Sequence, residues 1–180
     1  MYTCTSEAQQ ITEYNGIAIP KQTAVPDNEK TRVMVMLIDK LIYESGLPNI
    51  NLTIACGIAG NVKVESEFNY TAVNKRSGAF GLCQWYKSRF ENLYNYCKQN
   101  NLSYESPEGQ IKFLVHELKE VSTYRKVYDK ISSPEYRNDI DKIAHYFCMH
   151  FEIPGEQYCT TRGQKARQVY QEYNSIKQQS

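Results

Sequence analysis

The sequence predicts a mainly α-helical domain with one small loop or β-hairpin inserted after its second helix. Apolar residues recur at helical spacing through most of the chain, which is typical of amphipathic helices. One stretch, residues 70–87, is instead rich in Gly, Ser and Asn and predicts the insertion. The length of 180 residues fits one compact domain, with or without a tail.

The chain divides into an N-terminal segment and a helical domain. Residues 1–27 are polar, contain Pro20 and Pro26 and show no sustained periodicity, so we expect an extended arm or linker. The domain, residues 28–180, begins with a helical pattern that ends shortly before Pro48, as helices commonly do.

Five further helices are predicted along the domain. The clearest start lies at Ser106 and Pro107, because serine is a good N-cap and proline suits the first helical position. The segment VYDKISS, residues 127–133, predicts only a short helical turn. The five helices are expected at about 51–68, 87–99, 106 onward, 138–151 and 160–177.

Composition excludes several functional classes. The 21 Lys and Arg residues nearly balance 20 Asp and Glu residues, so no global field attracts nucleic acid. No apolar run approaches the roughly 18 residues of a membrane span, and the start MYTCTSEAQQ lacks the regions of a signal peptide. The three histidines do not form an HExxH motif. We therefore expect no nucleic-acid partner, no membrane insertion, no metal and no other cofactor.

Glu65 is the most unusual residue of the second helix. At about 100° per residue, Ile54, Ile58 and Glu65 point within about 40° of one another, so the carboxyl group follows an apolar stripe. A helix-terminal glutamate whose head reaches solvent or an arginine is one interpretation. The other is a general acid, because a partly apolar cleft favours the protonated form of a carboxyl group. Glu67 points away from this stripe and is expected to be solvated.

The stretch SGAFGLCQW, residues 77–85, follows Glu65 after twelve residues. Its glycines permit tight turns, Gln84 offers a donor and an acceptor, and Trp85 offers a large stacking face. A carboxyl group at a helix end facing such a loop is suited to binding a sugar chain.

These stretches resemble the phage tail lysozyme family, which is related to goose-type lysozymes and soluble lytic transglycosylases. GIAGNVKVESEFNY (57–70) and SGAFGLCQW resemble the family's Glu-Ser pair at a helix end and its following Gly-Leu-x-Gln stretch. The similarity continues in SRFENL, QIKFLVHEL, YFCMHFEIP and RGQKARQVY, and it spans about residues 30–174. It implies a lysozyme-like (α+β) helical domain.

The resemblance also implies an activity: cleavage of the β-1,4 bond between N-acetylmuramic acid and N-acetylglucosamine in peptidoglycan. Glu65 would be the general acid that protonates the glycosidic oxygen. For Tyr146, simple packing beside Phe147 is the alternative to a role in the site. The residues expected to support the site or line its sugar subsites are Ser66, Ser77, Gly81, Gln84, Trp85 and Tyr146.

A second catalytic carboxylate is missing where goose-type relatives often place one, because residues 70–86 contain no Asp or Glu. Neutral side chains such as Ser77 and Gln84 could position a water. Alternatively, the hydroxyl of the muramic acid could attack and give a 1,6-anhydro product.

Glu117 and Glu152 are candidate carboxylate partners from other helices, each with a structural alternative. For Glu152 the preferred interpretation is an ion pair with Arg162. Arg89 is expected to pack or to form an ion pair rather than to act in catalysis.

The resemblance implies an enzyme carried on a phage tail that opens the cell wall for DNA entry. Its partners would be peptidoglycan glycan strands and other tail proteins, and its location the virion tail or, after delivery, the cell wall or periplasm. The alternatives are an endolysin acting at host lysis, a wall enzyme of a conjugation system, and a non-catalytic wall-binding or structural tail protein that keeps the fold.

The six cysteines form no CxxC pair, which argues against a zinc-ribbon or thioredoxin-like site. Buried reduced thiols are the general expectation. Cys148 and Cys159, which flank a short irregular stretch, are the most plausible local disulfide.

Overall fold

The computed structural model of the protein describes residues 10–179. Within that range the chain is mainly α-helical, with a two-stranded antiparallel hairpin of β1 (Glu13–Tyr14) and β2 (Ile17–Ala18). This confirms the predicted fold class. The helices are α1 (Asp27–Asp39), α2 (Leu52–Ser66), α3 (Ser88–Gln99), α4 (Pro107–Glu120), α5 (Ser122–Ile131), α6 (Ile140–Phe147) and α7 (Arg162–Gln179).

Two helices continue into short π-helical turns. α1 is followed by Lys40–Glu44 and α6 by Cys148–Glu152, and a 3-10 turn, Glu156–Tyr158, precedes α7. The π-helical turn after α6 closes with a hydrogen bond from the Ile153 backbone N–H to the Cys148 carbonyl. Such turns inside helices are frequent at functional sites.

α2 is the central helix, and α6 and α7 pack against it. Its apolar residues surround the axis, as expected for a helix that is buried on all sides. Gly60 permits the closest approach to α7, because an added Cβ would lie 2.5 Å from the Ala166 Cα. Gly57 likewise gives room to Ile143 of α6. The two glycines therefore let both helices lie directly against α2.

Side-chain caps explain why several helices begin where they do. Asn51 accepts a hydrogen bond from the Ile54 N–H at the start of α2, and Asp139 does the same for Lys142 in α6. Ser106 accepts from Gly109 at 3.1 Å, with Pro107 in the first turn. The start predicted for α4 is thus confirmed, and each cap satisfies a backbone donor that the helix leaves unpaired.

α5 is longer than the single turn that VYDKISS predicts. The helix runs over ten residues and buries Val127, Tyr128 and Ile131. Its N-cap is Val121, whose side chain makes no capping hydrogen bond, and the same residue ends α4. The start of α5 therefore has no capping residue for a sequence pattern to reveal.

The described part of the predicted arm, residues 10–26, is folded onto the helical domain. Asn15 and Gly16 both have positive φ and form the two-residue turn between β1 and β2, as expected for Asn-Gly. Ile19 is buried, and the Thr23 N–H donates to the Thr71 hydroxyl. The segment therefore contacts the loop that follows α2.

The insertion after α2 is held by isolated backbone bridges rather than by regular strands. Val73 pairs with Phe80, and Phe80 pairs with Trp85. Among the described residues, the regular hairpin lies instead in the N-terminal segment, where no hairpin was expected.

The cysteines form the expected local disulfide and, apart from it, the expected buried thiols. Cys148 and Cys159 form a disulfide, while Cys56, Cys83 and Cys97 are free and buried. Burial raises the pKa of the Cys56 thiol to about 12 and that of the Cys97 thiol to about 11, so these thiols stay protonated and unreactive near neutral pH. Cys4 lies outside the described residues.

Candidate functional site

The C-terminal end of α2 forms the base of the candidate site. Glu67 caps the helix with φ 53°, and Phe68 follows with φ 61°. Two successive non-glycine residues in the left-handed region are uncommon, and they turn the chain sharply out of the helix. Phe68 becomes buried, while the Glu67 side chain remains 79% exposed. Glu65 consequently occupies the last turn of α2, just before the bend.

Glu65 forms an ion pair with Arg162, the first residue of α7. The Arg162 Nη2 donates to Glu65 Oε1 at 2.7 Å, and the side chains are 3% and 19% exposed, respectively. Arg162 also donates to the backbone carbonyls of Asn61 and Tyr158. The close approach at Gly60 brings the start of α7 beside the end of α2. A buried guanidinium that donates from all three of its nitrogens thus fixes a partly exposed carboxylate.

The carboxylate of Glu65 lies in a surface pocket of about 370 Å³. The pocket also contains Glu67 and Lys30, whose charged groups are 4.0 Å apart. Side-chain amides can donate to and accept from sugar hydroxyls and acetamido groups, so the lining suits a carbohydrate. The amide side chains of the pocket are those of Gln22, Asn69, Asn74 and Gln84.

The loop that follows α2 is held on its buried side by Gln110 of α4. This side chain is fully buried, accepts from the Leu82 N–H at 2.9 Å and donates to the carbonyls of Tyr70 and Tyr104. Gly81, with φ 79°, lies so close that an added Cβ would be 2.6 Å from Gln110 Oε1. Gln110 was not singled out from the sequence, because its role depends on backbone groups far away along the chain.

The predicted site residues separate into two groups. Ser66 and Gln84 lie in the pocket with Glu65. The Ser66 hydroxyl is within hydrogen-bonding distance of the carbonyls of Val62 and Leu82, so it joins α2 to the loop. Gln84, with φ 49°, donates from Nε2 to two loop carbonyls.

Two predicted subsite residues, Trp85 and Gly81, lie on the inner side of the loop. Trp85 is fully buried, so its indole cannot provide an exposed stacking face. It packs edge-on against Phe113, and its Nε1 donates to Glu117 Oε2 at 2.9 Å. Gly81 is also buried, against Gln110. Both residues shape the loop from inside because the apolar side of the loop is packed onto α4.

Ser77 and Tyr146 are not among the residues that line the Glu65 pocket. Ser77 accepts from the Ala79 N–H within the loop, and Tyr146 packs between the rings of Tyr136 and His150. Contact between either residue and a substrate stays a prediction.

A second ion pair lies deeper in the molecule. Arg89 donates through Nε and Nη2 to the two oxygens of Glu117, each at 2.9 Å, which confirms the ion pair expected for Arg89. Its guanidinium also lies over the rings of Tyr124 and Phe151. Glu117 borders a larger depression of about 580 Å³, but its side chain is only 2% exposed. Both of its oxygens are engaged, so Glu117 is poorly placed to react.

The expected ion pair between Glu152 and Arg162 is not formed within 4 Å; Arg162 pairs with Glu65 instead. The prediction was wrong because α7 begins at Arg162 beside the end of α2, and its guanidinium is used there. Burial, followed by the negative charge of Glu65, raises the pKa of Glu152 well above its ordinary value. The positive charges of Arg89 and Arg162 lower the pKa of Glu152, but they do not cancel the upward shift.

Residues 10–179 contain neither a metal-binding cluster nor a membrane-spanning helix. No group of three or more His, Cys, Asp and Glu side chains in this range is arranged to hold a metal ion. None of the helices described here combines the length and apolar character required to cross a bilayer.

Comparison with known proteins identifies one family. Residues 46–173 match the family model described as phage tail lysozyme, which covers most of the chain and includes α2 to α6 and much of α7. A search of curated proteins found no match.

Proposed function

The chain belongs to the phage tail lysozyme family, a family of peptidoglycan-degrading enzymes, and we propose that Glu65 is its general acid. The observation that supports this role is the position of the carboxylate. Glu65 is fixed by Arg162 at 2.7 Å, remains partly exposed and opens into the amide-lined pocket. A catalytic acid needs both a fixed position and access to the substrate oxygen.

The proposed substrate bond is the β-1,4 linkage between N-acetylmuramic acid and N-acetylglucosamine. Glu65 gives a proton to the glycosidic oxygen as the bond from that oxygen to C1 of the muramic acid breaks. The resulting carboxylate then accepts a proton from the group that attacks C1. That group is water in a hydrolase, or the 6-hydroxyl of the same muramic acid in a transglycosylase, where no water is consumed.

The absence of Asp and Glu from residues 70–86 supports a reaction with one directly acting carboxylate. Inverting and retaining glycosidases with two carboxylates place them about 5–9.5 Å apart across the bond. Glu67 shares the pocket, but its side chain is 79% exposed and near Lys30. We therefore assign Glu67 no chemical step.

Glu65→Gln tests the assignment. We expect purified wild-type protein to clear peptidoglycan embedded in a gel, and the variant to lose about 10²–10⁴-fold of the rate, the usual contribution of general acid catalysis. Glu67→Gln is the matched control, because it removes a neighbouring charge of the same pocket. Equal activity of Glu65→Gln and wild type would overturn the assignment.

Mass spectrometry of the released fragments distinguishes the two reaction outcomes. Reducing ends indicate hydrolysis, whereas 1,6-anhydro ends indicate attack by the muramic acid hydroxyl. If wild-type protein binds walls of several chemotypes but releases no fragments, the chain is a non-catalytic wall-binding protein that keeps the fold.

We further propose that the enzyme is carried on the phage tail and opens the wall during entry. Detection of the protein in purified virions by mass spectrometry, together with wall-degrading activity of intact particles, is the expected result. Presence only in the lysate at the end of infection would favour the endolysin alternative.

A further inference from the structure

Glu152 has a carboxyl oxygen that is buried without a partner. The residue ends the π-helical turn after α6, and its Oε1 is shielded from solvent but forms no hydrogen bond within the described residues. Buried polar atoms are nearly always hydrogen-bonded, so this exception calls for a physical explanation.

The two nearby guanidinium groups are used elsewhere. Arg162 donates to Glu65 and to the carbonyls of Asn61 and Tyr158. Arg89 donates to both oxygens of Glu117 and, through Nη1, to the Phe151 carbonyl. Neither arginine forms an ion pair with Glu152 within 4 Å in the described structure, although both influence its charge.

Glu152 and the two arginine–glutamate pairs near it form a cluster whose charges balance only if Glu152 is neutral. Arg89 and Arg162 supply two positive charges, and their partners Glu117 and Glu65 supply two negative charges. An ionised Glu152 would add an unpaired negative charge with one oxygen shielded from solvent, which is unfavourable. Burial and the charge of Glu65 accordingly raise its pKa well above the ordinary range, so Glu152 carries a proton where exposed glutamates are ionised.

The backbone around Glu152 holds this arrangement in place. Ile153 has φ 56°, an unusual conformation for a β-branched residue, and Pro154 follows it directly. The disulfide between Cys148 and Cys159 closes the segment that begins with the π-helical turn and ends shortly before Arg162. Left-handed non-glycine residues persist only where their surroundings enforce them, and they cluster at functional sites.

We propose that Glu152 is a positioning residue that stores the proton which Glu65 delivers to the glycosidic oxygen. Glu65 forms an ion pair with Arg162, so the proton that it delivers has to be supplied by another group. The O–H bond of Glu152 breaks, the proton moves to a Glu65 oxygen directly or through one water, and Glu152 becomes ionised. Glu65 then gives this proton to the leaving sugar, accepts a proton from the group that attacks C1 and returns it to Glu152, so the cycle neither gains nor loses a proton. This inference rests on the proposed role of Glu65.

The pH profile of E152Q tests the inference, because glutamine imitates the neutral carboxyl group in size but has no acidic proton. With soluble peptidoglycan fragments at neutral pH, we expect kcat to fall about 10²-fold, a typical share of acid catalysis, with little change in KM. The optimum should move to lower pH, where Glu65 takes its proton from solvent. E152D should recover part of the rate.

Controls separate this role from a structural one. E135Q removes an exposed glutamate that pairs with Lys130 and should leave the profile unchanged. An E152Q enzyme that folds normally and keeps the wild-type kcat and pH optimum would overturn the inference. If E65Q stays active, the proposed function fails as well, whereas an inactive E65Q with an unaffected E152Q overturns the inference alone.

Infrared spectroscopy provides a test that does not depend on activity or on the folding of a variant. Wild-type protein at neutral pH should show the C=O band of a protonated carboxyl group, and the band should vanish on titration to alkaline pH. It should be absent from folded E152Q. If wild-type protein shows no such band at neutral pH, Glu152 is ionised and the inference is wrong.

Discussion

Two arginine–glutamate pairs join distant elements of the described structure at similar distances, 2.7 and 2.9 Å, but with opposite exposure. In the pair at the end of α2, Arg162 is 3% exposed and Glu65 is 19% exposed. In the pair between α3 and α4, Arg89 is 19% exposed and Glu117 is 2% exposed. The buried partner is the cation in the first pair and the carboxylate in the second.

This difference separates a carboxylate that can react from one that supports the structure. Both oxygens of Glu117 accept from Arg89, and one also accepts from Trp85, so any proton transfer would break several hydrogen bonds. Glu65 accepts from Arg162 through one oxygen and opens into the pocket. An ion pair alone therefore does not indicate function; the exposure and the remaining hydrogen-bonding capacity of its carboxylate do.

Removal of Glu117 is expected to have the largest effect on stability. Glu117→Ala leaves the Arg89 guanidinium and the Trp85 N–H without their shared acceptor, and breaking a buried pair in this way costs about 3–5 kcal/mol. Urea unfolding measures the loss. Glu120→Ala, at an exposed position of the same helix, is the control. A loss below about 1 kcal/mol would show that Glu117 does not support the fold.

Removal of the disulfide should weaken the Arg162 pair selectively. Cys148 and Cys159 are separated by 11 positions, and a loop of this size stabilises the folded state by about 3 kcal/mol. The double variant Cys148→Ser, Cys159→Ser should lose about that much free energy of unfolding, and its wall-degrading activity should fall because Arg162 follows the loop. Full activity with reduced stability would mean that the pair holds its position without the disulfide.

The pH dependence of stability should distinguish the surroundings of Glu152 from those of an ordinary surface carboxylate. Its raised pKa means that the unfolded chain ionises first as pH rises, so its contribution is complete below the ordinary glutamate pKa. That contribution is then lost as pH rises toward the raised value.

Free energies of unfolding at about pH 5 and about pH 8 measure this loss through linkage. Wild-type protein should lose more stability between the two conditions than Glu152→Gln, which has no ionisable group at this position. An equal loss in both proteins would contradict the raised pKa.

The smallest effect is expected at Glu67, which shares the pocket with Glu65. Its side chain is 79% exposed, with Lys30 at 4.0 Å, and exposed pairs contribute at most about 1 kcal/mol. Glu67→Gln should change the free energy of unfolding by less than about 0.5 kcal/mol and leave wall clearing unchanged in the gel assay. A large loss of activity would assign Glu67 a direct role and weaken the contrast with Glu65.

Local patterns were sufficient for most helices but not for all. Ser106 and Pro107 give the start of α4, because capping and a preset φ act within one turn. α5 lacks any such signal, since Val121 provides no side-chain cap. The hairpin at Asn15 and Gly16 was missed within a polar segment, although Asn-Gly is a typical turn pair.

The loop after α2 shows that a sequence can indicate where a site lies without indicating which way its side chains point. Gly81 and Gln84 do form tight turns there, with φ 79° and 49°. Trp85, however, is oriented inward by its bond to Glu117, which lies more than thirty positions away along the chain. No local pattern contains that partner, so the sequence could not decide between a buried and an exposed indole.

The sequence by itself determined the helical class, the family and the position of Glu65 near the end of α2, because periodicity, caps and motif order are local properties. Only the tertiary structure decided that Arg162 pairs with Glu65, that Glu117 is held by Arg89, and that Glu152 has a buried oxygen with no ion-pair partner among the described residues. These outcomes depend on how closely the helices approach, on which guanidinium each carboxylate reaches, and on how much of each side chain stays exposed to solvent. Distances of this kind are fixed when α7 packs against Gly60, not by the order of residues within any one helix.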